Sequence, residues 1–492
     1  MKKSATLIFT LISTVGLFLV SGCSEKVSES QFNRPSLIIL FVFDALRPDH
    51  LGCYGYHRET SPRIDAFASD SVVFREAISQ SSLSAPSYMS IFTSLNPAVH
   101  LVNNPNPWEP DLYTRLADEI ATFPEALQRH GWKTVGLHGG GVVSPMLGFG
   151  RGFDSYRPDF FFNFSTPYFQ PDRVLDRIDR LLEETREGDD PLFLFLMHLI
   201  CHAPYIHGPR EINTRFLENP VEGLPVDRDG LLPYEDPAWG PYDEMSFWRD
   251  FDLDDPEHLE HLIALYDGSI YYADQIFGRL IDKLVRKGLY EDSLIILTSD
   301  HGQEFYEHGG TQHGRMFVEH LQVPLIVKFP GNAFAGRVIN DPARLIDIHP
   351  TIFGVLGIEI DHPIQGLSLL PLLDGQGDYD PVISSYNLLY QGPDTIELDV
   401  YIRLVSDGYA YSNFPTDDRE EFLFDIEQDP REQVNLVETD PETAERMRGL
   451  ASENLAGNRA FRLAIDQGKS APGEPDEELR RAMKALGYYL PE

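Results

Sequence analysis

Two acidic residues stand where apolar runs stop. The run from Ser36 to Phe43 (SLIILFVF) ends on Asp44, and the run from Ser293 to Leu297 (SLIIL) leads through Thr298-Ser299 into Asp300-His301-Gly302. Two carboxylates and an imidazole converging from adjacent strand ends would offer one divalent cation a set of ligands whose charge roughly cancels its own. Each Asp taken alone has a plainer reading, as a helix cap or a turn residue. A third element runs from Ser79 to Ser94 (SQSSLSAPSYMSIFTS). Its Pro86 and Ser-rich lead-in predict a helix start. A hydroxyl there either caps the helix or sits in the positive end of its field, where a tetrahedral oxyanion is stabilised.

These residues need strands and helices to bring them together. Continuous apolar runs at 36–43, 134–137, 192–197, 293–297 and 324–327 read as strands buried on both faces of a parallel sheet. Between them the clearest helix spans Leu262 to Leu284, with a 3.6-residue apolar period and Gly288 to stop it. Strands alternating with helices predict a doubly wound α/β domain, which binds ligands beyond the carboxyl ends of its strands. Residues 213–256, rich in Pro, Gly, Asp, Glu and Trp, break that rhythm and read as an insertion over the sheet edge. From about Tyr379 short alternating segments (395–403, 408–411, 421–424) predict a small antiparallel sheet, followed by a charged helical tail from Pro441. The domain division is therefore 35–375 for the α/β body and 376–492 for the rest.

The start of the chain reads differently. Met1-Lys2-Lys3, an apolar run from Ala5 to Val20 and then Ser21-Gly22-Cys23 predict a secretory leader over 1–22. Cys directly after Ser-Gly resembles the lipobox of bacterial lipoproteins. That implies a membrane anchor through an N-terminal lipid on Cys23, a tether over 23–34, and a place in the bacterial cell envelope facing the periplasm or the exterior. A formal charge of −37 over 492 residues argues against nucleic acid as a partner. Only Cys53 and Cys201 remain besides Cys23, too few for a cysteine metal site, and two free buried thiols are expected.

The segments also carry a family resemblance. FVFDALRPDHLGCYG from Phe41, SAPSYMSIFTS from Ser84, HAPY from His202, TSDHGQEFYEHG from Thr298, HLQVPLIVKFPG from His320, QGLSLLPLLDG from Gln365 and LFDIEQDPREQVNL from Leu423 follow one another in the order found in the sulfatase family of the alkaline-phosphatase superfamily. An ordered set is far more specific than any one motif. The resemblance implies an alkaline-phosphatase-like doubly wound sheet with a small C-terminal antiparallel subdomain. It makes Asp44, Asp300 and His301 metal ligands, with Ser84 on the metal as nucleophile. It makes His202 the general acid at the leaving oxygen, and puts His313 where many members carry a Lys. Arg47 falls in the metal-site turn and His308 near the mouth. The cation would be Ca²⁺ or Mn²⁺, with Mg²⁺ or Zn²⁺ as further options. Read from the residues alone, His202 and His313 are equally compatible with structural roles.

Three departures from the family pattern bear on mechanism. Tyr88 stands where formylglycine-forming members carry Arg, which argues against oxidation of Ser84. Ala45 replaces the usual second Asp. GLHGGGVVSP from Gly136 lacks the family's G-K-W-H-type Lys and His. An unmodified Ser can pass a phosphoryl group to water or an alcohol, whereas a sulfated Ser needs attack at sulfur. The expected activity is hydrolysis of sulfate or phosphate monoesters or diesters, on a small molecule or a glycan, with phosphate and phosphonate somewhat favoured. The alternatives are an envelope phosphoryl-group transferase and a pseudoenzyme that binds anionic glycans. Four other features have bland readings: Asp347-x-His349 as the opening of a structural helix, the Phe160–Phe164 run as apolar packing, His198 as core or site edge, and Asp252, Asp254 and Asp255 as solvated surface.

Overall fold

Burial on both faces turns the apolar runs into the central strands of one large sheet. The computed structural model describes residues 32–104, 113–158, 171–187, 190–227, 247–248, 250–375, 383–390, 398–414 and 420–465. The predicted leader, Cys23, most of the tether and the Phe160–Phe164 run lie outside them. Strands β1 (Leu37–Phe43), β2 (Val72–Ile78), β3 (Lys133–Leu137), β4 (Ser155–Arg157), β5 (Leu192–His198) and β6 (Leu294–Ser299) come first. A short hairpin follows, β7 (Glu304–Phe305) with β8 (Thr311–Gln312), and then β9 (Gln322–Lys328), β10 (Arg337–Ile339) and β11 (Ala343–Arg344). The nine-stranded order is β10-β2-β9-β6-β1-β5-β3-β4, with β11 beside β2. Every residue of β1, β5 and β6 is buried.

The sheet is mixed rather than wholly parallel. Strands β6, β1, β5, β3 and β4 run parallel, but β9 is antiparallel to both β6 and β2. A continuous apolar run reports that both faces are covered and is silent on direction. Here the return from β6 to β9 passes through the β7–β8 hairpin, not a crossover helix, so an antiparallel return is open to it. Pro324 in β9 brings no N–H to the ladder, and the partner strand β2 breaks register between Phe74 and Ala77 at that level. The Tyr54 hydroxyl fills the gap, accepting from Leu325 N at 2.9 Å and donating to Phe74 O at 3.0 Å.

The helix expected from Leu262 is longer, Pro256–Lys287, because Asp255 caps its start by accepting from Glu257 N, and it stops at Gly288 in the left-handed region (φ 69°). A second sheet of four antiparallel strands, β12 (Ile383–Tyr390), β13 (Leu398–Ser406), β14 (Tyr409–Asn413) and β15 (Phe422–Asp425), lies in the C-terminal part. The Pro441–Ala464 helix packs Met447, Ala451 and Leu455 onto it around Tyr386 and Tyr411. In the 213–256 segment the described Phe247 and Trp248 rest on Tyr205, at ring separations of 6.0 and 6.1 Å. Among the described residues no helix is long and apolar enough to cross a membrane.

Candidate metal centre and active site

Sheet geometry alone sets two acids side by side. Phe43 of β1 pairs with Ser299 of β6, so the next residue on each strand, Asp44 and Asp300, leaves the same carboxyl edge. Both are buried. The chain then turns sharply: Ala45 adopts φ 59°, and its N–H donates to Asp300 Oδ1 at 3.2 Å. His301 N donates to the same oxygen at 2.9 Å. Asp300 is thus fixed through Oδ1, while its buried Oδ2 accepts no hydrogen bond from the described residues. Ala45, the departure from the family's second Asp, occupies a left-handed conformation that Asp or Asn adopts at lower cost.

His301 closes the cluster. Its Nδ1–H donates to Gly302 O at 2.9 Å, which leaves a lone pair on Nε2. That nitrogen lies 3.5 Å from Asp300 Oδ2 and 3.8 Å from Asp44 Oδ1, and it accepts from Ser84 Oγ at 3.1 Å. One ligand atom from each of Asp44, Asp300 and His301 falls within 4.8 Å of the other two. Burial raises the Asp300 carboxyl and pushes the His301 imidazole down to about 3. A neutral imidazole facing two carboxylates, one with an acceptor oxygen that nothing donates to, is a donor set suited to a divalent cation.

Ser84 is not a helix cap. The helix spans Ser84–Thr93 with Leu83 at the N-cap and no side-chain cap hydrogen bond, so the Ser84 hydroxyl remains available to His301. The helix is held by other groups. Ser87 Oγ donates to Asp300 O at 2.7 Å, and Ala85 N donates to Asn104 Oδ1 at 2.9 Å. Tyr88, one turn on, is fully buried, and burial beside Asp300 and Asp44 lifts its hydroxyl far above the usual phenol range. It stays neutral where the family pattern puts a cation.

The remaining two predicted residues meet each other beside this centre. His313 lies against His301 with ring centroids 4.1 Å apart and the rings tilted by 31°, and its Nδ1–H donates to Ser82 O at 3.0 Å. His202 Nδ1–H donates to Ala203 O at 3.1 Å, and the Nε2 atoms of His202 and His313 face each other at 3.3 Å. With both Nδ1 atoms protonated, that contact needs a proton between the rings. Burial and the neighbouring imidazoles hold His313 well below the usual histidine range.

Other candidates fall outside. His198 ends β5 with Nδ1 accepting from Ile200 N at 3.1 Å, and burial pushes it down to about 3; it is core. Arg47 is fixed by Asp49 and Glu307 and donates to Gln303 O at 2.8 Å. His308 stacks on Phe317 and pairs with Glu319 at 3.2 Å. Asp347 stands at the start of the Ile348–Leu356 helix without capping it. Its carboxylate instead accepts from Arg344 N at 2.9 Å and Leu367 N at 2.7 Å. Residue reading overlooked Asn104 and Asn387. The sequence did hold a signal for the second, since polar Ser384, Ser385 and Asn387 interrupt a strand whose other described residues are apolar and buried.

The mixed α/β sheet thus carries an Asp, Asp, His cluster at its carboxyl edge with a serine on the imidazole. The sulfatase family model matches residues 36–358, and a model for the C-terminal part of N-sulphoglucosamine sulphohydrolase matches 306–458. The chain belongs to the sulfatase family and is a sulfatase-like ester hydrolase. Members of this family generally bind a divalent metal ion. Among curated relatives it is 22% identical to N-acetylglucosamine-6-O-sulfatase of Bacteroides thetaiotaomicron, over 87% of each chain. It is 25% identical to human iduronate 2-sulfatase, over 70% of this chain and 74% of the relative. Among solved structures, a protein in complex with its substrate D-glucosamine-2-N,6-O-disulfate aligns with TM-score 0.69 at 20% identity, covering 90% of this chain and 100% of the other. The phosphonate monoester hydrolase of Agrobacterium radiobacter aligns with TM-score 0.67 at 20% identity, covering 87% and 96%.

Proposed function

We propose that this chain hydrolyses anionic esters by attack of the Ser84 hydroxyl, with Asp44, Asp300, His301 and Ser84 itself holding one divalent cation. The observation that carries the reading is the 3.1 Å contact of Ser84 Oγ with the lone pair of His301 Nε2, inside a cluster where both carboxylates face the same nitrogen. A cation bound there would lower the pKa of the serine hydroxyl and neutralise charge on the ester oxygens. The N-terminal end of the Ser84–Thr93 helix adds a favourable field for a nucleophilic oxygen. His202, whose Nε2 faces that of His313 at 3.3 Å, is the candidate general acid for the departing oxygen.

Neutral Tyr88 in place of a cation favours an unmodified Ser84 and hence phosphate or phosphonate esters, in keeping with the phosphonate hydrolase likeness. Sulfate esters of a glycan or small molecule, as in the names of the curated relatives, are the second reading. Mn²⁺ or Ca²⁺ suits the O,O,N donor set, with Mg²⁺ and Zn²⁺ as the other choices. The proposed division remains 35–375 for the catalytic body, with Cys23 lipidated in the cell envelope.

Mass spectrometry of the intact chain and of the peptide holding Ser84 reports both serine chemistry and Cys23 acylation. Ser84→Ala should abolish turnover of aryl phosphonates and aryl sulfates in a folded protein. Unchanged rates would overturn the proposal, and product seen only with an added alcohol would indicate a transferase.

A further inference from the structure

The residue that unites the two halves of this site comes from the other sheet. Asn387 of β12 is fully buried, and all four of its hydrogen-bonding positions are used within the segments that carry Ser84 and His313. Its Oδ1 accepts from Ser81 Oγ at 2.7 Å and from Ser82 N at 3.2 Å. Its Nδ2 donates to Ser82 Oγ at 2.7 Å and to Gly314 O at 2.8 Å. The orientation is forced: the Ser82 amide only donates and the Gly314 carbonyl only accepts, so the side-chain amide fits one way round.

Each contact leads on to a reacting group. Ser81 Oγ, held by Asn387, accepts from Leu83 N at 3.2 Å, and Leu83 is the N-cap of the helix that begins with Ser84. Ser82, held at its N–H and its hydroxyl, presents the carbonyl that fixes His313 Nδ1 at 3.0 Å. Gly314, the third anchor, adjoins His313. One side chain therefore sets the serine and the histidine pair in a common frame. Asp44, Asp300 and His301 follow directly on the ends of β1 and β6 and need none of these bonds.

We infer that Asn387 is a positioning residue of the active site, and that the C-terminal sheet is a working part of the catalytic apparatus. This rests on the roles of Ser84 and the histidine pair given above. A clamp that aims the proton donor matters most when the leaving group needs a proton. Loosening it should therefore penalise a poor leaving group more than a good one, whereas a general loss of folded protein scales all substrates equally.

The test uses the full chain loaded with Mn²⁺, and compares phenyl with para-nitrophenyl esters of whichever acid the wild type turns over. Asn387→Ala removes the whole clamp. Asn387→Asp keeps the Ser81 and Ser82 N contacts but sets a carboxylate oxygen against the Gly314 carbonyl, and being nearly isosteric it guards against a folding failure of the first variant. Both should lose ~10–100-fold more in kcat on the phenyl ester than on the para-nitrophenyl ester, whatever loss from a displaced Ser84 the two esters share. Ser385→Ala, which cuts only the 2.6 Å bond from the same strand to Ser79 O, should leave the ratio of rates as in wild type. Equal losses on the two esters, or none, in either Asn387 variant would refute the inference. A failure of His202→Gln to steepen the same leaving-group dependence, or activity in Ser84→Ala, would sink the underlying site reading and the inference with it.

Discussion

Replacing Asp300 by Asn isolates the charge of the centre from its architecture. Asn keeps Oδ1 and therefore both anchoring bonds, from Ala45 N at 3.2 Å and His301 N at 2.9 Å. The change falls on Oδ2, which no donor meets and which lies 3.5 Å from His301 Nε2. An amide nitrogen there donates to that lone pair, and it removes a carboxylate whose ionised form burial disfavours. Metal-free Asp300→Asn should thus be at least as stable as metal-free wild type at neutral pH. With the cation the sign reverses. A carboxylate charge ~4 Å from a divalent ion at an effective dielectric of ~20 is worth ~8 kcal/mol, part of which offsets the desolvation of the acid, so the variant should bind Mn²⁺ at least ~10²–10³-fold more weakly. At a Mn²⁺ concentration ~100 times the wild-type Kd, wild type gains ~2.7 kcal/mol of unfolding free energy and the variant ~0.4 kcal/mol or less. Urea denaturation with EDTA or with Mn²⁺ reads all four values. An equal gain in both proteins, or a metal-free variant several kcal/mol below wild type, would show that Asp300 is a structural acid.

Two further outcomes follow from local geometry. A methyl group at Gly302 would stand 2.0 Å from Glu319 O, a backbone atom, so Gly302→Ala must displace the turn that accepts the His301 Nδ1 proton. It should lower kcat/KM ~100-fold while costing ~1–3 kcal/mol, measurable by kinetics and thermal melts; wild-type kinetics would show that the turn tolerates the shift. Asp274 is buried and accepts from Arg63 N at 2.8 Å and Ile64 N at 2.7 Å, and burial pushes its carboxyl up to about 7. The folded chain then holds a proton that the unfolded chain releases near ~3.9, so stability is greatest below that pH and falls as pH rises through about 7, by up to ~4 kcal/mol. Asp274→Asn should flatten that limb in urea titrations across the range, and an unchanged slope would assign it elsewhere.

The Asp44, Asp300, His301 cluster was legible because burial and chemistry point the same way in its sequence. An acid that closes a buried strand emerges at a sheet edge, and Asp44, directly after its apolar run, and Asp300-His301, separated from theirs by two residues, do so from paired strands. The helical period from Leu262 survived for the same reason, with its ends moved by Asp255 and Gly288. The direction of β9 was not legible, because a run such as PLIV encodes covered faces and not polarity. Nor was the pairing of His202 with His313, residues that only the tertiary fold places in contact. Asn387 left only the trace of three polar residues in ISSYNLLY, and its role stayed hidden because its partners Ser81 and Ser82 lie 306 and 305 positions away.

Because Asp44 and Asp300 sit one step beyond a hydrogen-bonded pair of strands, their spacing is inherited from the ~4.8 Å repeat of the sheet itself. No neighbouring side chain has to be kept to maintain that interval. Most of the surrounding chain is then free to drift, and a likeness in shape at TM-score 0.69 survives with four residues in five exchanged, at 20% identity. Evolution can rewrite which ester enters while the ruler that spaces the two acids stays in the backbone.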